Sequence, residues 1–374
     1  MELDKIKEKI KQIALDSGAK LVGVGSRERL ENAPPSADMD YVLAGAQSCI
    51  IWAYPNKIED LESFFSKKER WSLRIQMDFA YLTAWSTAEK IKSFIEENTD
   101  FKAHPVVPNG KYRGGYKSII DTGEGFPPFS LRYGGVAAGL GHIGWSGNLV
   151  TPEYGGSIFL GGVVTTAPLE ADPMAEINNC NKCMICQKVC TTGYVIGDRP
   201  EDRQPVIIGG VKQNYGKRGP YMKCGIGCAG LAGLCQDESW STWTPDHICL
   251  KNIPEEELTS DYILKLQNKL IRSKETPRAL RRYNQAILAS FAKAKDNVAN
   301  RPLEDTNPRC GNCSFICVKD PKKRNELFQM LKSSGKVYLD ENGREFVRKI
   351  NKNGEETIYY PPTWEEYKIS KGID

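Results

Sequence analysis

Four cysteines stand in the segment NNCNKCMICQKVC, where Cys180, Cys183, Cys186 and Cys190 follow a C-x2-C-x2-C-x3-C spacing. Thiolates at that rhythm suit iron–sulfur chemistry: in a ferredoxin-type run the first three ligate one [4Fe-4S] cluster and the fourth reaches across to a second. Structural zinc sites pair two C-x2-C units or recruit histidine, and His104, His142 and His247 all lie away from the run. A second cluster is therefore expected, and RCGNCSFICVKD supplies Cys310, Cys313 and Cys317. With Cys317 crossing back to Cys180, Cys183 and Cys186, the second cluster holds Cys190, Cys310 and Cys313 and lacks one ligand. Cys224, Cys228, Cys235 and Cys249 are the candidates for it, while Cys49, in an apolar strand, reads as a buried thiol.

These residues belong to a chain of 374, 40% hydrophobic and 26% charged, long enough for two or three domains. Its net charge of +4 does not by itself indicate nucleic acid. No apolar run approaches the ~20 residues of a membrane span, and the N-terminus MELDKIKEKIKQIALDSG is amphipathic where a leader would be apolar, so the expected compartment is the cytoplasm. Twelve cysteines in a reducing compartment point to ligation rather than to disulfides.

The elements that must position the thiols read as follows. Leu3, Ile6, Ile10 and Ile13 recur at helical spacing, KLVGVG and SCIIWAY read as strands, residues 78–97 as a long helix, and a glycine-rich stretch from Gly110 to Gly162 ends in strand-like SIFLGGVVTT. This suggests an α/β domain over residues 1–175. Residues 176–320 carry the cysteine motifs and a helical insertion at about 255–300, whose outer face holds Lys265, Lys269, Arg272, Lys274, Arg278, Arg281 and Arg282. Residues 321–374 form a C-terminal extension, expected as a β-meander turning at Asn342–Gly343 and Asn353–Gly354.

The stretch GLGHIGWSGNLVTPEYGGSIFLGGVVTTAPLEAD (139–172), followed by the cysteine run and RCGNCSFIC, resembles the corrinoid iron–sulfur reductases over roughly residues 1–195 and 243–320. That group includes reductive dehalogenases and the tRNA-modifying epoxyqueuosine reductases. The resemblance implies an α+β fold, with a nitroreductase-like α/β domain holding cobalamin base-off and a ferredoxin-like domain holding two [4Fe-4S] clusters. It implies that Cys249, in STWTPDHICL after Trp243 and Asp246, completes the second cluster, with Cys224 as the alternative. In that assignment Cys224, Cys228 and Cys235 form a separate feature. Arg132, Gly139, Gly141, Gly144, Trp145, Asn148 and Tyr154 would line the corrinoid, the glycines letting backbone approach a flat macrocycle.

The same resemblance implies a departure at the substrate. Leu131 stands where epoxyqueuosine reductases carry an acidic proton donor, and Trp145 where both families tend to carry a cation. Tyr81 is then the expected proton donor, with Tyr133 and Tyr154 in reserve. The expected activity is reductive cleavage of a carbon–halogen or other carbon–heteroatom bond in a small organic molecule. Electrons would come from a low-potential donor such as ferredoxin or flavodoxin. The alternative is an epoxyqueuosine reductase-like enzyme with the basic insertion as its tRNA contact; a third reading is a non-catalytic electron-transfer or corrinoid-reducing protein.

Overall fold

Along the strand Ser48–Pro55 (β2), Cys49, Ile51 and Ala53 face one hydrophobic core while Ile50, Trp52 and Tyr54 face another. A strand buried on both faces requires a layer on each side of its sheet. β2 pairs antiparallel with β1 (Leu21–Ser26) and with β6 (Ile158–Thr165), and β6 with β3 (Ala103–Val106), giving the order β1-β2-β6-β3. The computed structural model describes residues 2–106, 112–114, 125–248, 250, 253–286, 308–351 and 353–373.

One face of the sheet is covered by α1 (Leu3–Asp16), α2 (Ile58–Phe65) and α3 (Trp71–Asn98), which bury Ile6, Ile10 and Ala14, then Leu61 and Phe65, then Ala84, Ala88, Ile91 and Ile95. Helix α3 begins seven residues before its apolar periodicity suggests. The Glu69 carboxylate accepts the N–H groups of Trp71 and Ser72 at 2.5 and 3.0 Å, satisfying donors that the first turn leaves unpaired. The other face carries α4 (Leu131–Ala137), capped by the Ser130 hydroxyl. A side chain at Gly135 would stand 2.5 Å from Leu149, so glycine lets this helix lie close to its neighbours.

Two short antiparallel pairs follow in the chain, β4 (His142–Ile143) with β5 (Leu149–Val150), and β7 (Arg203–Ile208) with β8 (Val211–Gly216). The second is a hairpin turned at Gly209 and Gly210, whose φ values of 57° and 76° are those of a primed turn. Helices α5 (Ile185–Lys188), α6 (Tyr221–Ala229), α7 (Ser260–Arg272), α8 (Asn312–Phe315) and α9 (Pro321–Lys332) succeed one another around the cysteines. Of the insertion, α7 and helical residues 278–286 are described; 287–300 lie outside the described residues. The chain closes with the meander β9 (Lys336–Leu339), β10 (Glu345–Ile350), β11 (Glu356–Tyr359) and α10 (Trp364–Lys371). Among the described residues no helix is long and apolar enough to cross a membrane.

Candidate metal centres and active site

Cys180, Cys183, Cys186 and Cys317 line one cavity together with Gly144, Trp145 and Arg324. The loop that presents the first three is turned inward by Lys182 and Met184, both non-glycine residues at positive φ (54° and 59°). Side-chain oxygens of Asn178 and Asn181 accept the N–H groups of Cys180 and Cys183 at 2.9 and 3.3 Å. The sulfurs also receive donors: the Trp145 N–H reaches Cys180 Sγ at 3.2 Å, and Arg324 approaches Cys183 Sγ at 4.0 Å. Burial pushes the Cys186 and Cys317 thiols up, and the neighbouring thiols push the same way. Such thiols ionise when a metal takes the proton's place. Among the described residues no three His, Cys, Asp or Glu side chains converge on a single-ion position. Thiols ringing a cavity suit instead a cubane that binds one thiolate per iron.

A second gathering joins α6 to the segment carrying Cys310 and Cys313. Cys190, Cys310 and Cys313 interact with one another and with Cys224, and Cys228 stands 3.8 Å from Cys224, sulfur to sulfur. The Val195 N–H points at Cys190 Sγ (3.5 Å) and the Asn148 amide approaches Cys313 Sγ (4.0 Å). Burial pushes Cys190 and Cys313 up, whereas the hydrogen bond from Cys228 lowers Cys224 and brings Cys310 to about 7. Cys249 lies outside the described residues. Cys224, Cys228 and Cys235 are not one feature: Cys235 sits apart, donating to Asp237 Oδ1 at 3.0 Å and accepting the Trp240 N–H at 3.2 Å. The C-x3-C spacing of Cys224 and Cys228 places both on one face of α6, a helical signal present in the sequence. Cys49 is fully buried, and burial raises its thiol to about 12.

Two guanidinium groups stand beside this second site without a carboxylate partner among the described residues. Arg132 reaches the Gly147 carbonyl (3.3 Å) and Asn148 Oδ1 (3.4 Å), while Arg218 donates to the Ser146 carbonyl and, at 3.4 Å, to the Tyr194 hydroxyl. The Arg218 Nε is buried with no acceptor. Both cations act electrostatically on Cys224, and Arg218 also on Cys313. Such cations offset the negative charge of a thiolate-ligated cluster and favour its reduced form. Were a cluster held here, Arg218→Gln would be expected to lower its reduction potential by on the order of 50–100 mV, read by EPR during a redox titration. An unchanged potential would separate Arg218 from that cluster. Tyr215, Arg218 and Tyr221 are close in sequence, while tertiary contact brings Tyr194 and Arg132 to them.

The residues assigned to a corrinoid divide between packing roles. A side chain at Gly139 would strike the Pro173 carbonyl (2.0 Å), one at Gly141 the Val150 carbonyl (2.2 Å), and one at Gly144 the Val150 side chain (2.5 Å). Trp145 is 2% exposed, its indole N–H on the Ile196 carbonyl at 2.8 Å, and Tyr154 packs against the second core. Arg132 and Asn148 stand at the second thiol group. Protein atoms thus stand 2.0–2.5 Å from where a side chain at Gly139, Gly141 or Gly144 would begin, so these glycines let neighbouring chain segments pack closely. Tyr81 lies against the core of α1–α3, edge-on to Phe159, on the opposite face of the sheet from α4 and Arg132.

No protein-family model matches the chain. Over 85 residues it is 41% identical to the epoxyqueuosine reductase of Listeria monocytogenes serovar 1/2a, a match covering 22% of this chain and 20% of that protein. Over 162 residues it is 29% identical to the epoxyqueuosine reductase of Bacillus anthracis, covering 41% of this chain and 37% of that one. The matches thus span about a fifth to two-fifths of these relatives' own length. Among solved structures, an epoxyqueuosine reductase with an epoxyqueuosine-modified tRNA-Tyr stem loop aligns at 14% identity and TM-score 0.38, covering 88% of this chain and 100% of that one. The reductive dehalogenase NpRdhA aligns at 14% and 0.43, covering 78% and 35%. Likeness at that level says nothing about substrate.

The sequence matches overturn the expectation of carbon–halogen cleavage, and with it the ranking of a small organic partner above tRNA. That expectation rested on Leu131 and Trp145, whose structural roles are in packing: Leu131 fills the second core beside Gly162, and Trp145 closes on Gly216 and Ile196. The matched relatives are reductases, and over the matched residues the chain is similar to the epoxyqueuosine reductases.

Proposed function

We propose that the chain is an iron–sulfur oxidoreductase that reduces an epoxyqueuosine-type nucleoside in tRNA. Residues 1–175 would form the substrate-facing α/β part and residues 176–320 the electron-transfer part. The observation that carries the redox chemistry is the presence of two thiol groups in one fold, Cys180, Cys183, Cys186 and Cys317 in the first and Cys190, Cys224, Cys310 and Cys313 in the second. Each would hold a [4Fe-4S] cluster. The substrate class rests on the matched relatives. Removing an epoxide oxygen to leave an alkene consumes two electrons and two protons and releases water. Two one-electron clusters fed by a low-potential donor of the ferredoxin or flavodoxin class supply the electrons. At the second site, burial raises the Tyr194 and Tyr221 phenols, so both keep their protons at neutral pH, beside Arg132.

The polynucleotide would be held by the insertion, where Lys265, Lys269, Arg272, Lys274, Arg278 and Arg282 are all exposed. Charge reversal at Lys269, Arg272 and Lys274 should weaken tRNA binding by roughly tenfold or more and reduce the slope of log affinity against log salt by about three. Filter binding between low and moderate salt measures both. Unchanged affinity and slope would remove this face from the tRNA contact.

A further inference from the structure

Among the described residues five thiols gather at the second site, one more than a cubane takes. Cys224 neighbours Cys190, Cys310 and Cys313, and Cys228 neighbours Cys224 and Cys310. Cys228 is exposed to solvent, and its sulfur is 3.8 Å from that of Cys224. The two stand four residues apart near the end of a nine-residue helix that ends at Gly230, a left-handed cap with φ 82°. Residues at that spacing hold their β-carbons roughly 5–6 Å apart, and a disulfide needs about 3.5–4.5 Å. The last turn must tighten for the bond to close. Gly225 and Gly227 lie between the two cysteines, and the space beside Gly225 is open, so this turn is the least costly part of α6 to adjust.

We propose that Cys224 and Cys228 give the second site two mutually exclusive states. This rests on the two-cluster reading. With the cluster in place, Cys224 is a ligand and Cys228 a free thiol at its edge. With the cluster gone, the pair closes into a disulfide that withholds Cys224 and bars reloading. The oxidant is a small-molecule disulfide of the glutathione class: one thiolate of the pair attacks it, releasing one small thiol, and the second attacks the mixed disulfide, releasing the other. Two electrons and two protons pass from the pair to the oxidant. A dithiol reductant reverses the exchange and reopens the site.

The test uses the full chain, cluster-loaded or stripped of iron by chelation without oxygen, then treated with oxidised glutathione and alkylated with iodoacetamide for peptide mapping. In the stripped protein the peptide carrying both residues is expected to lose two hydrogens. Iron and sulfide should then restore only about half the full iron content, until dithiothreitol is added. In the loaded protein Cys228 should be alkylated while Cys224 is protected. Cys228→Ser should retain the second cluster's EPR signal and reload after oxidant without dithiothreitol. The proposal is overturned if the oxidised wild-type chain shows only a glutathione adduct on Cys228, if it reloads fully without reductant, or if Cys228→Ser lacks the second cluster. Failure of the fully reduced wild-type chain to take up iron and sulfide at the second site overturns the two-cluster reading itself.

Discussion

Cys313→Ala is expected to remove one of two clusters and, with it, turnover. Cys313 lies among Cys190, Cys224 and Cys310, where burial holds its thiol far above the usual range and the neighbouring thiols add to the shift. A sulfur in that position is inert without iron and becomes a ligand when iron displaces its proton. Iron and sulfide in anaerobically purified protein should fall by about half, leaving the EPR signal of the site built by Cys180, Cys183, Cys186 and Cys317. Electron delivery to the substrate should fall to background. Cys235→Ala is the matched control, because Cys235 bonds to Asp237 and Trp240 away from both groups. Wild-type iron in Cys313→Ala, or halved iron in Cys235→Ala, would contradict the assignment.

The second large effect concerns the joint that carries the thiol of Cys310. Glu345 on β10 accepts from Arg70, at the head of α3, with one contact at 3.2 Å, and from Arg309 at 3.0 Å. Arg70 lies between Trp71 and Trp243, with its guanidinium 4.5 and 4.9 Å from their rings, and Arg309 stacks on Tyr283 at 4.6 Å. Removing this carboxylate takes the shared counter-charge from buried Arg70 and largely buried Arg309, which costs about 3–5 kcal/mol. Urea unfolding of Glu345→Gln against the wild type measures it.

Burial acts to raise the Glu345 carboxyl, but Arg70 and Arg309 outweigh it and hold it below the usual carboxylate range. Its contribution is therefore fully present above the unfolded-state pKa and is lost as pH falls through the lowered folded value. The gap between wild type and Glu345→Gln should narrow on acidification. A gap that is small at neutral pH, or that widens in acid, would contradict this account of the joint.

How much of this was legible before the fold is seen in particular residues. The spacing of Cys180, Cys183 and Cys186 is local, and so is the pairing of Cys310 with Cys313; the partnership of Cys317 with the first run follows the ferredoxin pattern and matches where the cavity places it. The strands β1, β2 and β6 were readable because apolar runs bounded by turns suffice. The hairpin β7–β8 carries its sequence signal in the Gly209–Gly210 pair. Arg218 was not legible, since nothing nearby in sequence marks a cation that a distant thiol will face. The packing contacts of Trp145 and Leu131 come from residues distant in sequence, so their local context does not disclose them. Helical periodicity put Tyr81 on α3 but could not say which face of the sheet that helix covers.

The most direct measurement is turnover on tRNA carrying epoxyqueuosine, using anaerobically purified, cluster-loaded protein with a reduced ferredoxin or flavodoxin, in parallel with and without added cob(II)alamin. Nucleosides released by digestion are resolved by mass spectrometry. The expected result is a product lighter by one oxygen, formed in at least one of the two parallels and absent with Cys313→Ala. Unaltered epoxyqueuosine in both parallels, from protein shown to hold both clusters and to accept electrons, would contradict the central claim.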